Sequence, residues 1–561
     1  MKIVDFNKAK KYEDITIISF LFFLTFAVAG YFSTLGIDPH HDGIMLKPAI
    51  DFAEGKILFK ESFTQYGALT TILQGVSLIL FGKYLIVIKL LTALFYSLIA
   101  TLLYLIWKNV IPKYLALISC LIWLLLAPYF FYPFLAWSSV YALFFQMLSL
   151  YLLILFIKKS KKYLLFVSGF SAALCFWCRQ PVGIFLICAI MIFIILYCLY
   201  KRNYLESKII MIVSPIFGFI VCTSLFIFWL LINGAIYDWY LQSIKAGYFY
   251  ALNNGIDSIP TGSTGSTGIL TSSTGIFKVI NNLFFPLYVG RTQATAQIAL
   301  VRIVWTIIPI INIIIFLALI KSLKSNQLNP KNEIIMAILI ISFASLLQNY
   351  PIPSIRHMYW AETPMIGMVI YWYREIINKK SANKKSMLLI LLIFITFSPD
   401  MIFRVYQGYE KIKKYNVSFE YPPVLLGIKS YSDDVALQKE IGKKILEYYN
   451  KSGSAGIINL TGDALYLTYI KDNNYFHKIY ITWLNNLYPD YCEKLNKKIV
   501  NDRPIILKSI KDQAIPGYIT VVRFKTPEPD ARFQMSEFEL LYPCKNYNTK
   551  VDGEYPYKNC K

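Results

Sequence analysis

The sequence predicts a polytopic α-helical membrane protein of about eleven transmembrane helices, followed by a carboxyl-terminal α/β domain. Three observations carry this expectation. Of the 561 residues, 56% are hydrophobic and only 16% are charged, against roughly 25% charged in soluble domains. Apolar runs of about 20 residues, long enough for a hydrocarbon core of roughly 30 Å, recur from residue 15 to about 403. The last 158 residues lack such runs. The expected division is a membrane domain over 1–403 and an α/β domain over 404–561.

The first run, "ITIISFLFFLTFAVAGYFSTLG", follows "KKYED". It is longer than a signal-peptide core and has no A-x-A-like cleavage site, so it reads as the first span. The others are expected near 84–106, 114–131, 139–157, 163–178, 181–200, 209–232, 298–320, 334–350, 359–373 and 387–403. The formal charge of +23 excludes neither membrane nor nucleic acid by itself, but no basic helix or aromatic-basic sheet pattern accompanies it. The basic residues sit between spans. Alternate connections, among them "WKNVIPK", "KKSKK" and "REIINKKSANKKS", hold 21 Lys/Arg in 60 residues. By the positive-inside rule these face the cytoplasm, which places the amino terminus inside and the carboxyl-terminal domain outside.

The remaining connections share the outer side. Among them, "GALTTILQGVSLILFG", 67–82, is apolar but short and ends in Gly, as expected of a helix lying along the membrane surface. The long connection 233–297 contains a Thr/Ser/Gly tract at 261–275 that reads as a linker or flap. In the tail, "VALQKEIGKKILEYYNKSG" is an amphipathic helix, and "AGIINLTG", "RPIILKS" and "YITVVRF" are strands. Cys175 and Cys178 have CxxC spacing, but inside an apolar run with no second pair, which favours packing. An extracytoplasmic tail would permit a disulfide among Cys492, Cys544 and Cys560.

Three groups of residues have chemistry to offer. The first is "DPHHDG". If it is extended, His40 and Asp42 project to one side and His41 to the other. Asp42 then acts as a general base or helps hold a divalent metal, or else it caps a helix starting near Gly43, with Pro48 favouring a later or kinked start. The second is Arg179 with Gln180 in "FWCRQPVG", and Lys89 in the second span. Each is a phosphate contact or an interfacial anchor. The third is "QNYPIPSIRHMYWAETP", where Arg356 and His357 suit phosphate and Glu362 is a second carboxylate. Arg291 is a weaker candidate of the same kind, and His477 reads as a surface or packing residue. No GxGxxG, Walker, HExxH or GxSxG motif stands in a supporting context.

In order along the chain, "HHDG", "AIDFAEG", "QYGALTTILQGVSLILFG", Lys89 in "IVIKLLTAL" and "SGFSAALCFWCRQPVG" resemble the GT-C superfamily. These polytopic glycosyltransferases take sugars from polyprenyl-phosphate carriers. The similarity is to members of the protein-mannosyltransferase and lipopolysaccharide-core galacturonosyltransferase types, over residues 15 to about 230 and around 348–373. The resemblance implies an inverting transfer on the extracytoplasmic side of a plasma membrane, with Asp42 as base. Substrate contacts would come from His40, His41, Gln65, Tyr66, Lys89, Arg179, Gln180, Arg356, His357 and Glu362. It implies a polyprenyl-phosphate sugar donor, a glycan, lipid or protein acceptor, and no nucleic acid. One departure is that "FYPFLAWSS" lacks the second acid many relatives carry, which leaves a divalent metal open. The rival readings are a glycan polymerase or ligase of another polytopic class, and a lipid-linked glycan transporter.

Overall fold

The structure, a computed structural model, describes residues 6–200, 205–247, 296–323, 329–349, 355–378, 385–453, 455–471, 487–488, 490–527 and 536–544. The amino-terminal half contains α1 (Phe6–Ser33), α2 (Pro39–Ala53), α3 (Ala68–Phe81), α4 (Leu85–Trp107), α5 (Lys113–Leu125), α6 (Ser138–Lys159), α7 (Tyr163–Cys178), α8 (Gln180–Tyr200) and α9 (Leu205–Ile232). There follow α10 (Ile236–Trp239), α11 (Ala296–Leu323), α12 (Pro330–Ser345), α13 (Ile355–Glu362), α14 (Ile366–Asn378) and α15 (Lys385–Lys414). All eleven expected spans fall on helix. Among the described residues nine helices are long and apolar enough to cross a membrane. The other two spans fall short for separate reasons: α7 has only 16 residues, and the segment near 359–373 breaks at the turn Thr363–Met365, where Pro364 interrupts the ladder between α13 and α14.

Helices α1, α9 and α15 bury only 22% of their apolar windows, and Phe20, Phe23, Ile390 and Phe394 lie on the outside. Lipid tails satisfy such a surface, and water does not. Helix α15 runs past residue 403 to Lys414, so the chain enters its last domain along a continuous helix.

That domain holds a four-stranded mixed sheet of β3 (Ile457–Asn459), β4 (Ile505–Ser509), β5 (Tyr518–Lys525) and β6 (Glu537–Pro543), in the order β3-β4-β6-β5. Strands β3 and β4 pair in parallel and the others antiparallel. The helix α16 (Ser432–Lys451) buries Leu437, Ile441 and Ile445, the apolar stripe read from its sequence. A small ribbon of β1 (Val417–Ser418) and β2 (Lys429–Ser430) precedes it. Strand β6 and helix α17 (Tyr491–Asp502) lie outside the sequence expectations. Cys492 is disulfide-bonded.

Three contacts fasten this domain to the first loop of the membrane domain. Lys429 donates its N–H to Thr34 O and accepts from Gly36 N, both at 2.7 Å. The turn Ala464–Thr468 packs on α2 so closely that a Cβ on Gly43 would stand 2.0 Å from Leu465 N. His40 Nδ1 lies 2.7 Å from Gly462 O and donates to it, since a carbonyl only accepts. Apolar residues of α2, including Ile44, Leu46 and Ala49, share one core with Leu465, Tyr466 and the sheet.

The histidine tie has a pH consequence. Burial and the neighbouring His41 push the His40 imidazole down from 6.5 to about 4. Between those values the unfolded chain binds a proton that the folded chain does not, so stability falls as pH drops through this window and levels off below it. The loss is roughly 3 kcal/mol. Thermal melts of His40→Gln between pH 7 and pH 4 are expected to show a shallower acid limb than the wild type.

Candidate active site

The segment "DPHHDG" is helical, not extended. Asp38 is the N-cap of α2, Pro39 takes the first helical position, and Pro48 lies within the helix. An aspartate followed by proline is a favoured way to start a helix, because the cap accepts an orphan N–H and proline has none to lose. The start therefore lies four residues before the one expected at Gly43, and the capping role weighed for Asp42 belongs to Asp38.

Helix geometry separates the two aspartates. Asp42 points inward and is 0% exposed. Its Oδ2 accepts from Asp38 N at 2.9 Å and pairs with Lys89 Nζ at 3.0 Å. Lys89, also 0% exposed, gives a second bond to Gly36 O at 3.0 Å. Burial raises the Asp42 carboxyl above its usual range, against the opposing pull of Lys89. The two residues thus brace α2 against α4 within the interior.

Asp38 faces the other way. Its Oδ1 accepts from His41 N at 2.9 Å, and its Oδ2 lies 2.7 Å from His41 Nδ1. Burial alone would raise this carboxyl, but His41 and then Arg356 outweigh it and hold it at about 2. A carboxylate only accepts, so the proton of the neutral imidazole sits on Nδ1 and Nε2 is left as an acceptor. The His41 side chain is 25% exposed.

Trp137, in the connection between α5 and α6, is the hub around which other candidates gather. Its ring lies 4.6 Å from His41, 5.9 Å from Tyr66, 6.4 Å from His357 and 6.2 Å from Trp360. The Arg356 guanidinium sits 5.7 Å from the Trp137 ring and 4.5 Å from Tyr132, a cation–π arrangement. Arg356 Nη1 is buried and finds no hydrogen-bond partner among the described residues. The same holds for Gln65 Oε1, Gln180 Nε2 and Trp137 Nε1. Arg179 donates to Ser139, two residues beyond Trp137. Gly67 holds "QYG" in place by close approach: a Cβ there would stand 2.0 Å from Trp177 O.

The structure therefore brings together His41, Tyr66, Arg356 and His357, with Arg179 next to them through Ser139. His40 is committed to Gly462, and Asp42 and Lys89 to each other. Glu362, 0% exposed, lies roughly 240° around the helix from Arg356 and away from that group. Arg291, His477, the 261–275 tract, Pro351, Pro353 and Cys560 lie outside the described residues. Cys175 and Cys178 are buried free thiols. Among the described residues no three His, Cys, Asp or Glu side chains converge as metal ligands. Asp38 is engaged by His41 and Asp42 Oδ2 by Lys89, while Asp42 Oδ1 is buried with no hydrogen-bond partner among the described residues.

Asp38, Trp137, Tyr132 and Trp360 were not singled out by sequence reasoning. The Asp-Pro step carried a signal for Asp38, since a cap before proline places the next turn's side chains. Trp137 offered none, because its partners come from distant segments.

No family model matches the sequence, and no curated protein matches it. The fold is similar to several solved structures. The apo oligosaccharyltransferase of Archaeoglobus fulgidus is 12% identical, with a TM-score of 0.48 over 90% of this chain and 70% of that one. ArnT from Cupriavidus metallidurans bound to undecaprenyl phosphate is 11% identical, with a TM-score of 0.49 over 93% and 97%. The archaeal oligosaccharyltransferase AglB from A. fulgidus, in complex with an inhibitory peptide and a dolichol-phosphate, is 11% identical, with a TM-score of 0.46 over 90% and 70%.

Proposed function

We propose that the chain is a GT-C-type membrane glycosyltransferase. It moves a sugar, with inversion, from a polyprenyl-phosphate donor to an acceptor on the side of the membrane that carries the carboxyl-terminal domain. The observation that supports this best is the convergence at Trp137 of the Asp38–His41 pair and the Arg356 guanidinium. The order of motifs along the sequence points the same way.

In this reading His41 Nε2 takes the proton of an acceptor hydroxyl, and Asp38 holds the ring in the tautomer that makes this possible. The hydroxyl oxygen forms its bond to the anomeric carbon as the bond from that carbon to the phosphate oxygen breaks. The electron pair leaves with the phosphate. Arg356, assisted by Arg179 and His357, stabilises the charge that develops there, and a guanidinium in a desolvated setting suits this task. Trp137, Tyr66 and Trp360 supply flat apolar faces for a sugar ring. We take the pair around Asp38 as the base in place of Asp42, where the motif resemblance put it, because Asp42 is 0% exposed and its Oδ2 is held by Lys89 and Asp38 N, which leaves only a buried Oδ1 without a partner among the described residues. Asp42 and Lys89 hold α2 in position.

Reconstituted proteoliposomes test the reading against a transporter. With a labelled polyprenyl-phosphate sugar, the proposal predicts label on the acceptor on one side of the membrane only. Movement of intact donor across the bilayer without any transfer contradicts it.

A further inference from the structure

Next to the aromatic cluster lies a group of donors that the chemistry above does not use. Arg404 on α15 is 1% exposed, Tyr359 on α13 is 0% and Tyr129, in the turn after α5, is 2%. Arg404 Nε donates to Asp400 Oδ1 at 2.7 Å, and Asp400 Oδ2 accepts from Trp305 Nε1 at 2.7 Å. Both carboxylate oxygens are thus engaged and the guanidinium plane is fixed. Arg404 Nη1 and Nη2 and the hydroxyls of Tyr359 and Tyr129 are buried, with no hydrogen-bond partner among the described residues.

Ring contacts run from each of these groups to the next. Arg404 stands 5.9 Å from the Trp305 ring, which lies 6.2 Å from Tyr359. Tyr359 stacks on Trp123 at 5.5 Å, Trp123 lies 6.0 Å from Tyr96, and Tyr96 lies 5.4 Å from Tyr129. Tyr96 and Tyr129 also line a small pocket with Arg356 and Trp360. Lys411 on the same helix as Arg404 donates to Tyr129 O and Tyr132 O, adding positive charge to this side.

A guanidinium can only donate and a phenol donates readily. Leaving such groups buried and unpaired is costly, most of all for a charged one. The ligand that suits them is rich in acceptors, anionic and matched to a fork of two N–H groups. A phosphoryl group has that chemistry. We propose that Arg404, Tyr359 and Tyr129 form an oxyanion site, continuous with the pocket at Arg356, that takes a phosphoryl group of a lipid phosphate. The lipid part of this assignment rests on the reading under Proposed function. The oxyanion part rests on the donors alone.

The test is binding to the purified full-length protein in detergent, read by native mass spectrometry. The probes are a polyprenyl phosphate, a polyprenyl diphosphate, inorganic phosphate and, as the neutral control, a polyprenol. The Y129F/Y359F double variant removes only the two hydroxyls. It is expected to bind both lipid phosphates about tenfold more weakly or worse, to bind the polyprenol unchanged, and to melt no lower than the wild type without lipid. D400N/R404Q removes the ion pair as a unit and is expected to lose phosphate selectivity. Wild-type affinity for lipid phosphate in the folded Y129F/Y359F protein overturns the site. Displacement of lipid by inorganic phosphate at equal concentration overturns its assignment to a lipid. Arg404-dependent binding in a protein that transfers no sugar sinks the proposed reaction and leaves the site standing.

Discussion

Asp38→Asn is expected to lower the turnover number for sugar transfer by about 10³-fold or more, with a melting temperature close to that of the wild type. Asparagine caps a helix as well as aspartate does, so the start of α2 is preserved. What changes is the partner of His41. An amide that presents its N–H to Nδ1 forces the ring proton to Nε2, and the acceptor hydroxyl then meets a donor where it needs a base. Loss of activity with stability retained separates this role from capping. Asp38→Ala would lose both. His41→Gln is expected to match Asp38→Asn in activity. A substitution at Asp38 that leaves turnover unchanged places the base elsewhere, with Asp42 next in line.

The second large effect is on folding. Lys89→Met removes the cation opposite Asp42 in a place where both side chains are 0% exposed. Breaking a buried pair from one side leaves an uncompensated charge and costs about 3–5 kcal/mol. Denaturation of the detergent-solubilised variant is expected to show this loss. The double variant Asp42→Leu with Lys89→Met is expected to recover much of it, because an apolar pair of similar volume carries no desolvation penalty. Residual transfer in the stable double variant, at even a tenth of the wild-type rate, agrees with a bracing role. Wild-type stability in Lys89→Met would show that the pair does not hold α2 in place.

The spans were legible because hydrophobicity alone sets them. Runs such as "LIVIKLLTALFYSLIATLLYLIW" have one stable home, and the structure has helix in each expected place. The tail helix was legible from its 3.6-residue stripe. Strand β6, "EFELLYP", was not, since it lies between β4 and β5 and is defined by its neighbours more than by its own alternation. At the site, His41, Arg356, His357, Tyr66 and Arg179 were visible as polar residues at the ends of apolar runs. Their common centre was not. Trp137 sits in "FYPFLAWSS", a connection with no charge to mark it, and its contacts come from α2, α13 and the loop before α3. The roles of the two aspartates depend on one local event, the helix starting at Pro39. Read as extended backbone, Asp42 shares a side with His40. Wound as a helix, Asp38 turns to His41 and Asp42 turns to Lys89. Arg404 escaped notice because it stands near the end of a span, where an arginine ordinarily reaches for the interface, and only its burial marks it out.

Purified protein incubated with a panel of polyprenyl-phosphate sugars, monitored for release of the lipid phosphate, puts the central claim to its most direct test. The account predicts that at least one donor releases lipid phosphate in step with glycosylated acceptor, and that Asp38→Asn and Arg356→Gln both suppress the release. Lipid phosphate released at the same rate by wild type and both variants, or by no donor in a folded protein that binds them, would contradict it.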